Sequence, residues 1–423
     1  MLRLIFCLFL FHLSLILPAQ PGSILVLEPE WLFDGAQLHE GWAVTIQDEH
    51  ILSAGPKAQL DLPADQLIVL PLPGQTLLPG LIEGHSHILL HPYNETSWND
   101  QVLIESEAER VARATVHVRK TLEAGFTTIR DLGSEGAGYA DVGVKTAIEK
   151  GVIPGPRILV AGPAIVATGS YGPKGFAPHV QVPLGAETAD GIEGLTRVVR
   201  NQIGKGADVV KVYADYRWGP NGEAMPTFTQ EELECIVRIA ASSGRPVVAH
   251  AGTAEGMRRA TLAGVKTIEH GDGGTEEVFQ LMAEKGVALC PTIAAGDAIS
   301  QYRGWRKGID PEPARIVQKR KSVQLALDAG VAIVAGGDVG VFPHGDNVRE
   351  LEMMVDYGMS TLEVLQSATA GNAKILGLPD RGAIRKGLLA DLLVVEGQPI
   401  QNIADLRKVS MVFKGGEVVF ESR

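Results

Sequence analysis

Cysteine is scarce: the 423-residue chain has three, Cys7 inside an apolar N-terminal stretch and Cys235 and Cys290 far apart. Two cysteines in a chain of this size make no disulfide framework, and neither has the spacing of a metal-binding pair. Both are expected as buried free thiols, Cys235 in a helix and Cys290 in a strand. Cys7 does not follow the apolar region, where a lipid-modified cysteine would stand. No block of Lys and Arg offsets the net charge of −12, which argues against a nucleic-acid partner. Solubility accounts for the acidity, so it says nothing about the substrate. Aromatic residues make up only 5%, while 45% of the chain is hydrophobic, an ordinary composition that can bury a large core. Beyond the N-terminus, no segment has the roughly 20 uninterrupted apolar residues of a membrane span.

The first residues stand apart. Arg3 precedes an apolar stretch from Leu4 to Leu17, followed by Pro18-Ala19-Gln20-Pro21-Gly22-Ser23. A charged start, a short apolar region and small residues describe a secretory signal peptide over residues 1–20. The mature protein is then exported, periplasmic or secreted, and has no membrane span. An uncleaved anchor is the alternative.

Residues 21–76 read as short strands punctuated by Gly and Pro, such as Ile24-Leu25-Val26-Leu27 and Trp42-Ala43-Val44-Thr45-Ile46. Residues 373–423 have the same character, with Asp391-Leu392-Leu393-Val394-Val395 and Val409-Ser410-Met411-Val412-Phe413. The two segments are expected to pair into one small β-sandwich. Between them, over residues 77–372, strands and helices alternate. Thr229-Gln230-Glu231-Glu232 has the form of a capping box, and the stretches Thr253 to Ala263 and Thr275 to Lys285 each end at a Gly. Eight apolar strand segments, the last Val331-Ala332-Ile333-Val334-Ala335, predict an α/β fold of (β/α)8 type, a TIM-type barrel. Barrels of roughly 250 residues fold as single units.

The chemistry is concentrated where those strands end. His85-Ser86-His87 closes the apolar run from Leu77 to Gly84. Residues two apart on a strand face the same way, so both imidazoles can reach one metal ion. Lys211, His250, His270 and Asp338 each follow an apolar segment of their own. Each has a bland reading: a hydrogen-bonded structural histidine, a solvated lysine, a helix-capping aspartate. Jointly, in this order and at the mouth where barrels carry their active sites, they point to a hydrolase with a two-metal site.

The order His-x-His, Lys, His, His, Asp resembles the amidohydrolase superfamily. Leu78-Pro79-Gly80-Leu81-Ile82 and Gly382-x-Ile384-x-x-Gly387-x-x-Ala390-Asp391 extend the likeness over nearly the whole mature chain. Within the superfamily the chain looks like the imidazolonepropionase-like group, which includes metal-dependent dipeptidases of the Xaa-Pro type. The resemblance implies two divalent metal ions, usually Zn2+, with His85, His87 and Asp338 on one and His250 and His270 on the other. It implies that Lys211 is carboxylated to a carbamate by carbon dioxide and bridges the pair. A water shared and acidified by the cations would attack the amide, with Asp338 as general base and then acid.

Tyr171, Tyr213, Arg217 and His344 are the candidate substrate contacts, by analogy with loops that hold a substrate carboxylate in related dipeptidases. Ser170-Tyr171 stands where many relatives have Gly-His, Glu83 replaces a more usual Asp, and Gly337 a common Thr. The expected substrates are dipeptides or N-acyl amino acids. A cyclic amide is the second reading, and a non-catalytic binding relative the third. Homo-oligomerisation stays open.

Overall fold

The computed structural model describes residues 24–60 and 67–422, so the expected leader lies outside the described residues. No described helix is long and apolar enough to cross a membrane.

The first and last described segments of the chain enter one eight-stranded sheet. Its order is Glu417–Glu421, Val409–Lys414, Leu392–Glu396, Leu67–Pro79, Ile24–Phe33, Trp42–Gln47 and His50–Pro56, with Leu38–Glu40 beside Ile24–Phe33. Leu67–Pro79 joins the two ends, running parallel to Ile24–Phe33 and antiparallel to Leu392–Glu396. Alternation along Leu392–Glu396 ties this sheet to the rest of the protein. Leu392 and Val394 face the sheet's own core with Leu27, Leu32 and Phe413, whereas Leu393 and Val395 point into the main core.

The barrel strands are β1 (Leu81–Ser86), β2 (Phe126–Asp131), β3 (Arg157–Val160), β4 (Val210–Tyr213), β5 (Val247–Ala251), β6 (Thr267–His270) and β7 (Ala288–Cys290). Strands β1–β3 form one parallel arc and β4–β7 another. Helices follow the strands: α1 (Glu107–Glu123), α2 (Ala140–Glu149), α3 (Gly191–Gly204), α4 (Gln230–Ala241), α5 (Ala254–Ala263), α6 (Glu276–Lys285) and α7 (Ala314–Asp328). The capping box at Thr229 and Glu232 opens α4. Gly264 and Gly286, in left-handed conformation at φ 89° and 67°, close α5 and α6. Cys235 and Cys290 are buried and free, in α4 and β7.

The expected eighth strand differs. Residues 331–335 make only a single bridge, Leu289↔Ile333, and Ser86↔Val339 makes another further on. A few backbone hydrogen bonds span this seam, among them Leu289 N to Ala332 O at 2.9 Å, Val334 N to Leu289 O at 2.8 Å and Gly84 N to Ala335 O at 2.8 Å. The two arcs therefore do not form one continuous ladder. Sterics explain the tight seam: a Cβ on Gly84 would lie 2.3 Å from Val334 Cγ1 and 2.8 Å from Ala335 O, and one on Gly336 would lie 2.7 Å from His85 N. Gly84→Ala is expected to cost about 1–3 kcal/mol through overpacking, read as a lower thermal midpoint. An unchanged midpoint would contradict so close an approach.

Candidate metal centre

At the carboxyl ends of the strands, five of the six predicted ligands, His85, His87, His250, His270 and Asp338, line one cavity, and the sixth, Lys211, is buried and does not line it. His85, in β1, and His87, just past its end, each anchor Nδ1: His85 on Glu269 Oε2 at 2.8 Å, His87 on the Gly133 carbonyl at 3.0 Å. Their Nε2 atoms then lie 3.6 and 3.3 Å from Asp338 Oδ1. His270, at the end of β6, holds Nδ1 against Thr292 Oγ1 at 2.8 Å, and its ring centroid is 4.5 Å from that of His250. Ligand atoms of His85, His270 and Asp338 all lie within 4.8 Å of one another. Lys211 in β4 is 1% exposed, and its charge acts on His85, His250, His270 and Asp338.

Electrostatics favours metal-binding protonation states at most of these positions. Burial, reinforced by Lys211, lowers His85 to about 4 and His250 to about 3. Burial and the neighbouring His250 hold His270 well below its ordinary value. Burial would do the same to His87, but contact with Asp338 and the charges of Asp338, Glu135 and Asp131 together outweigh it and raise the ring to about 9. Burial opposes an anionic Asp338, yet His85 and His87 keep it below the usual carboxylate range. Burial also lowers Lys211, since an ammonium ion loses its hydration there. Imidazoles fixed by one nitrogen and presenting the other, beside a carboxylate, fit a divalent cation.

Backbone strain collects here too. Among the described residues, the non-glycine positions with positive φ are Asp48, Glu135, His270, Thr292 and Asp338. All but Asp48 line the same cavity of about 600 Å³. Conformations that side chains disfavour persist where surrounding structure over-determines them, typically at functional sites.

Several supporting residues escaped sequence reasoning. Glu269 receives Arg130 Nη2 at 3.1 Å as well as His85, and Arg130 with His85 holds it well below the usual carboxylate range against the effect of burial. Glu83 accepts from Gly337 N at 2.8 Å and Asn347 Nδ2 at 2.9 Å, fixing the turn that carries Asp338. Lys319 of α7 donates to the carbonyls of His270 and Pro291, each at 2.7 Å. A carboxylate inside the apolar strand β6 was a readable signal. Lys319 was not, because it sits among Arg315, Arg320 and Lys321 in what looks like a solvated face.

Of the expected substrate contacts, Tyr171, Tyr213 and Arg217 line the cavity. His344 does not reach it. Its Nε2 lies 3.1 Å from the Leu90 carbonyl and its ring stacks on His117 at 4.3 Å, because the loop carrying it folds back over α1.

Known proteins share this architecture. The amidohydrolase family is matched over residues 76–419, and the chain belongs to that family. It is 32% identical to ochratoxinase of Aspergillus niger over 91% of this chain and 84% of that protein. The crystal structure of a Xaa-Pro dipeptidase with bound methionine superposes with a TM-score of 0.83 and 32% identity, over 95% of this chain and 100% of that one. A prolidase complexed with N-methylphosphonate-L-proline gives 0.80 and 27%, with the same coverage. The protein is a hydrolase acting on carbon–nitrogen bonds, in a family that typically uses divalent metals.

Glu269→Gln weakens the anchor of His85 and leaves Arg130 without its counter-charge. It is expected to lower metal affinity roughly 10- to 100-fold and fold stability by about 3–5 kcal/mol. Metal retained after graded chelation, with thermal melts alongside, checks both. Wild-type retention would remove Glu269 from the support of the site.

Proposed function

We propose that the chain is an exported amidohydrolase with two divalent cations, Zn2+ being the family's usual choice, that cleaves dipeptides or N-acyl amino acids. His85, His87 and Asp338 would hold one cation and His250 with His270 the other. Lys211 would lie between them as a carbamate. When bound, the cations would acidify water and draw electron density from the amide carbonyl.

The chain's own groups do the rest. Buried Lys211 favours its neutral amine, which can bond to carbon dioxide and lose a proton to give an anionic side chain. Asp338, held anionic and 3.3 Å from His87, accepts the proton from the attacking water and returns it to the leaving nitrogen. The cavity of about 600 Å³ suits a small ligand. The observation that carries the reading is the convergence of two anchored imidazoles on Asp338, supported by family membership and by dipeptidase and ochratoxinase likenesses.

Asp338→Asn keeps a side chain that tolerates the left-handed backbone at φ 63° but cannot take the proton. It is expected to lower kcat by roughly 10²- to 10⁴-fold while most metal stays bound. Near-normal turnover would remove Asp338 from the base role. The substrate reading is checked with a library of dipeptides, N-acyl amino acids and cyclic amides on the zinc-loaded protein. Activity confined to cyclic amides would overturn it, and activity on none would favour a binding protein.

A further inference from the structure

Glu135 stands in the loop after β2, in a left-handed conformation at φ 49°, and is only 4% exposed. Its Oε2 accepts hydrogen bonds from Trp98 Nε1 and Tyr171 Oη, both at 2.9 Å. Its Oε1 is 3.9 Å from His87 Nδ1, too far for a hydrogen bond, and that nitrogen is already bonded to the Gly133 carbonyl at 3.0 Å. Among the described residues, nothing donates to Oε1. Glu135 lines the cavity, so Oε1 is open to a donor from a ligand, one imidazole ring away from the Asp338 carboxylate.

The surroundings select the sign of that ligand. Tyr93, Trp98, Tyr171, Tyr213 and Tyr216 line the same cavity, as does Tyr302, so five of the chain's seven tyrosines are concentrated there. Rings pack at 5.3 Å for Trp98 with Tyr171 and 4.9 Å for Tyr171 with Tyr216. The Glu135 charge reaches Tyr93, Tyr171, Tyr213 and Tyr216. Aromatic faces around a carboxylate attract a cation and repel an anion. Tyr171 also has its hydroxyl proton committed to Glu135, which leaves it unsuited to a substrate carboxylate. Arg110 donates to the Glu135 backbone carbonyl at 2.7 Å and not to its carboxylate, and Arg217 lies over the Tyr216 ring at 5.8 Å. Of the other cationic groups lining the cavity, Arg303 and Arg315, from the segment after β7, make no salt bridge to a carboxylate among the described residues.

We infer that Glu135 and the aromatic wall around it receive the protonated α-amino group of the substrate, so the substrate is a dipeptide with a free N-terminus, not an N-acyl amino acid. This rests on the amide-hydrolase reading above and narrows it. The amine is the α-amine because Oε1 sits close beside His87, and only an amine next to the scissile carbonyl reaches it while that carbonyl faces Asp338. The substrate carboxylate is drawn toward Arg303 and Arg315, away from Glu135.

The test compares kcat/KM on L-alanyl-L-amino acids with matched propionyl-L-amino acids, which lack only the amine, and with 4-aminobutyryl-L-amino acids, which carry it further out. The wild-type protein should favour the alanyl compounds roughly 10- to 100-fold, as expected for a charge-assisted hydrogen bond. In Glu135→Gln, whose amide oxygen can still accept from Trp98 and Tyr171, the ratio should fall towards one. Equal or faster wild-type hydrolysis of the propionyl or 4-aminobutyryl compounds overturns the inference and leaves the hydrolase reading intact, as does a preference that survives in the variant. The wild-type comparison decides even if the variant fails to fold. Hydrolysis of none of these compounds, nor of any other amide, instead defeats the hydrolase reading itself.

Discussion

Everything at the site depends on how closely the backbone of β1 meets the segment that follows Val331. Gly84 N bonds to Ala335 O, Asp338 N to His85 O and His87 N to Val339 O. Two positions without side chains, Gly84 and Gly336, permit this approach. It carries the Asp338 carboxylate to within 3.6 Å of the Nε2 atoms of both His85 and His87. The cost is a broken ladder. The segment turns sharply through Gly336 and Gly337 into a left-handed Asp338 and cannot continue as a regular strand. A feature that looks like a defect in the barrel is what positions Asp338 between His85 and His87.

Placing so many ionisable groups out of water would be prohibitive one at a time. They are arranged instead as a connected network. Arg130 ties β2 to Glu269 on β6, Glu269 orients His85 on β1, and Lys319 of α7 pins the carbonyls of His270 and Pro291. Each link joins elements far apart in the chain, so the site cannot form before the barrel does. The surrounding apolar cluster, which reaches from Phe33 to Val412 through the barrel strands, supplies the rigidity that holds four strained backbone positions in place.

Much of this was legible in the sequence, for physical reasons. Parallel strands buried on both faces read as continuous apolar runs, so Val247-Val248-Ala249-His250 and Thr267-Ile268-Glu269-His270 announced both a strand and the cavity-lining histidine at its end. The capping box at Thr229 announced its helix. What stayed hidden lacked a local signature. Leu67–Pro79 is a single strand, although Pro71 and Pro73 read as punctuation. Glu135 lies in Leu132-Gly133-Ser134-Glu135-Gly136, where a glutamate looks solvated, and only the tertiary fold brings Trp98 and Tyr171 onto its carboxylate. His344 failed in the opposite way: a histidine in a plausible loop was drawn into stacking on α1.

The central claim is that six side chains from five separate segments of the chain converge to hold a pair of cations. Anomalous scattering from zinc-loaded crystals tests it most directly. The account predicts two peaks, one next to His85, His87 and Asp338 and one next to His250 and His270, with density for a carboxylated Lys211 between them. A single peak, or zinc bound away from these side chains, would contradict it.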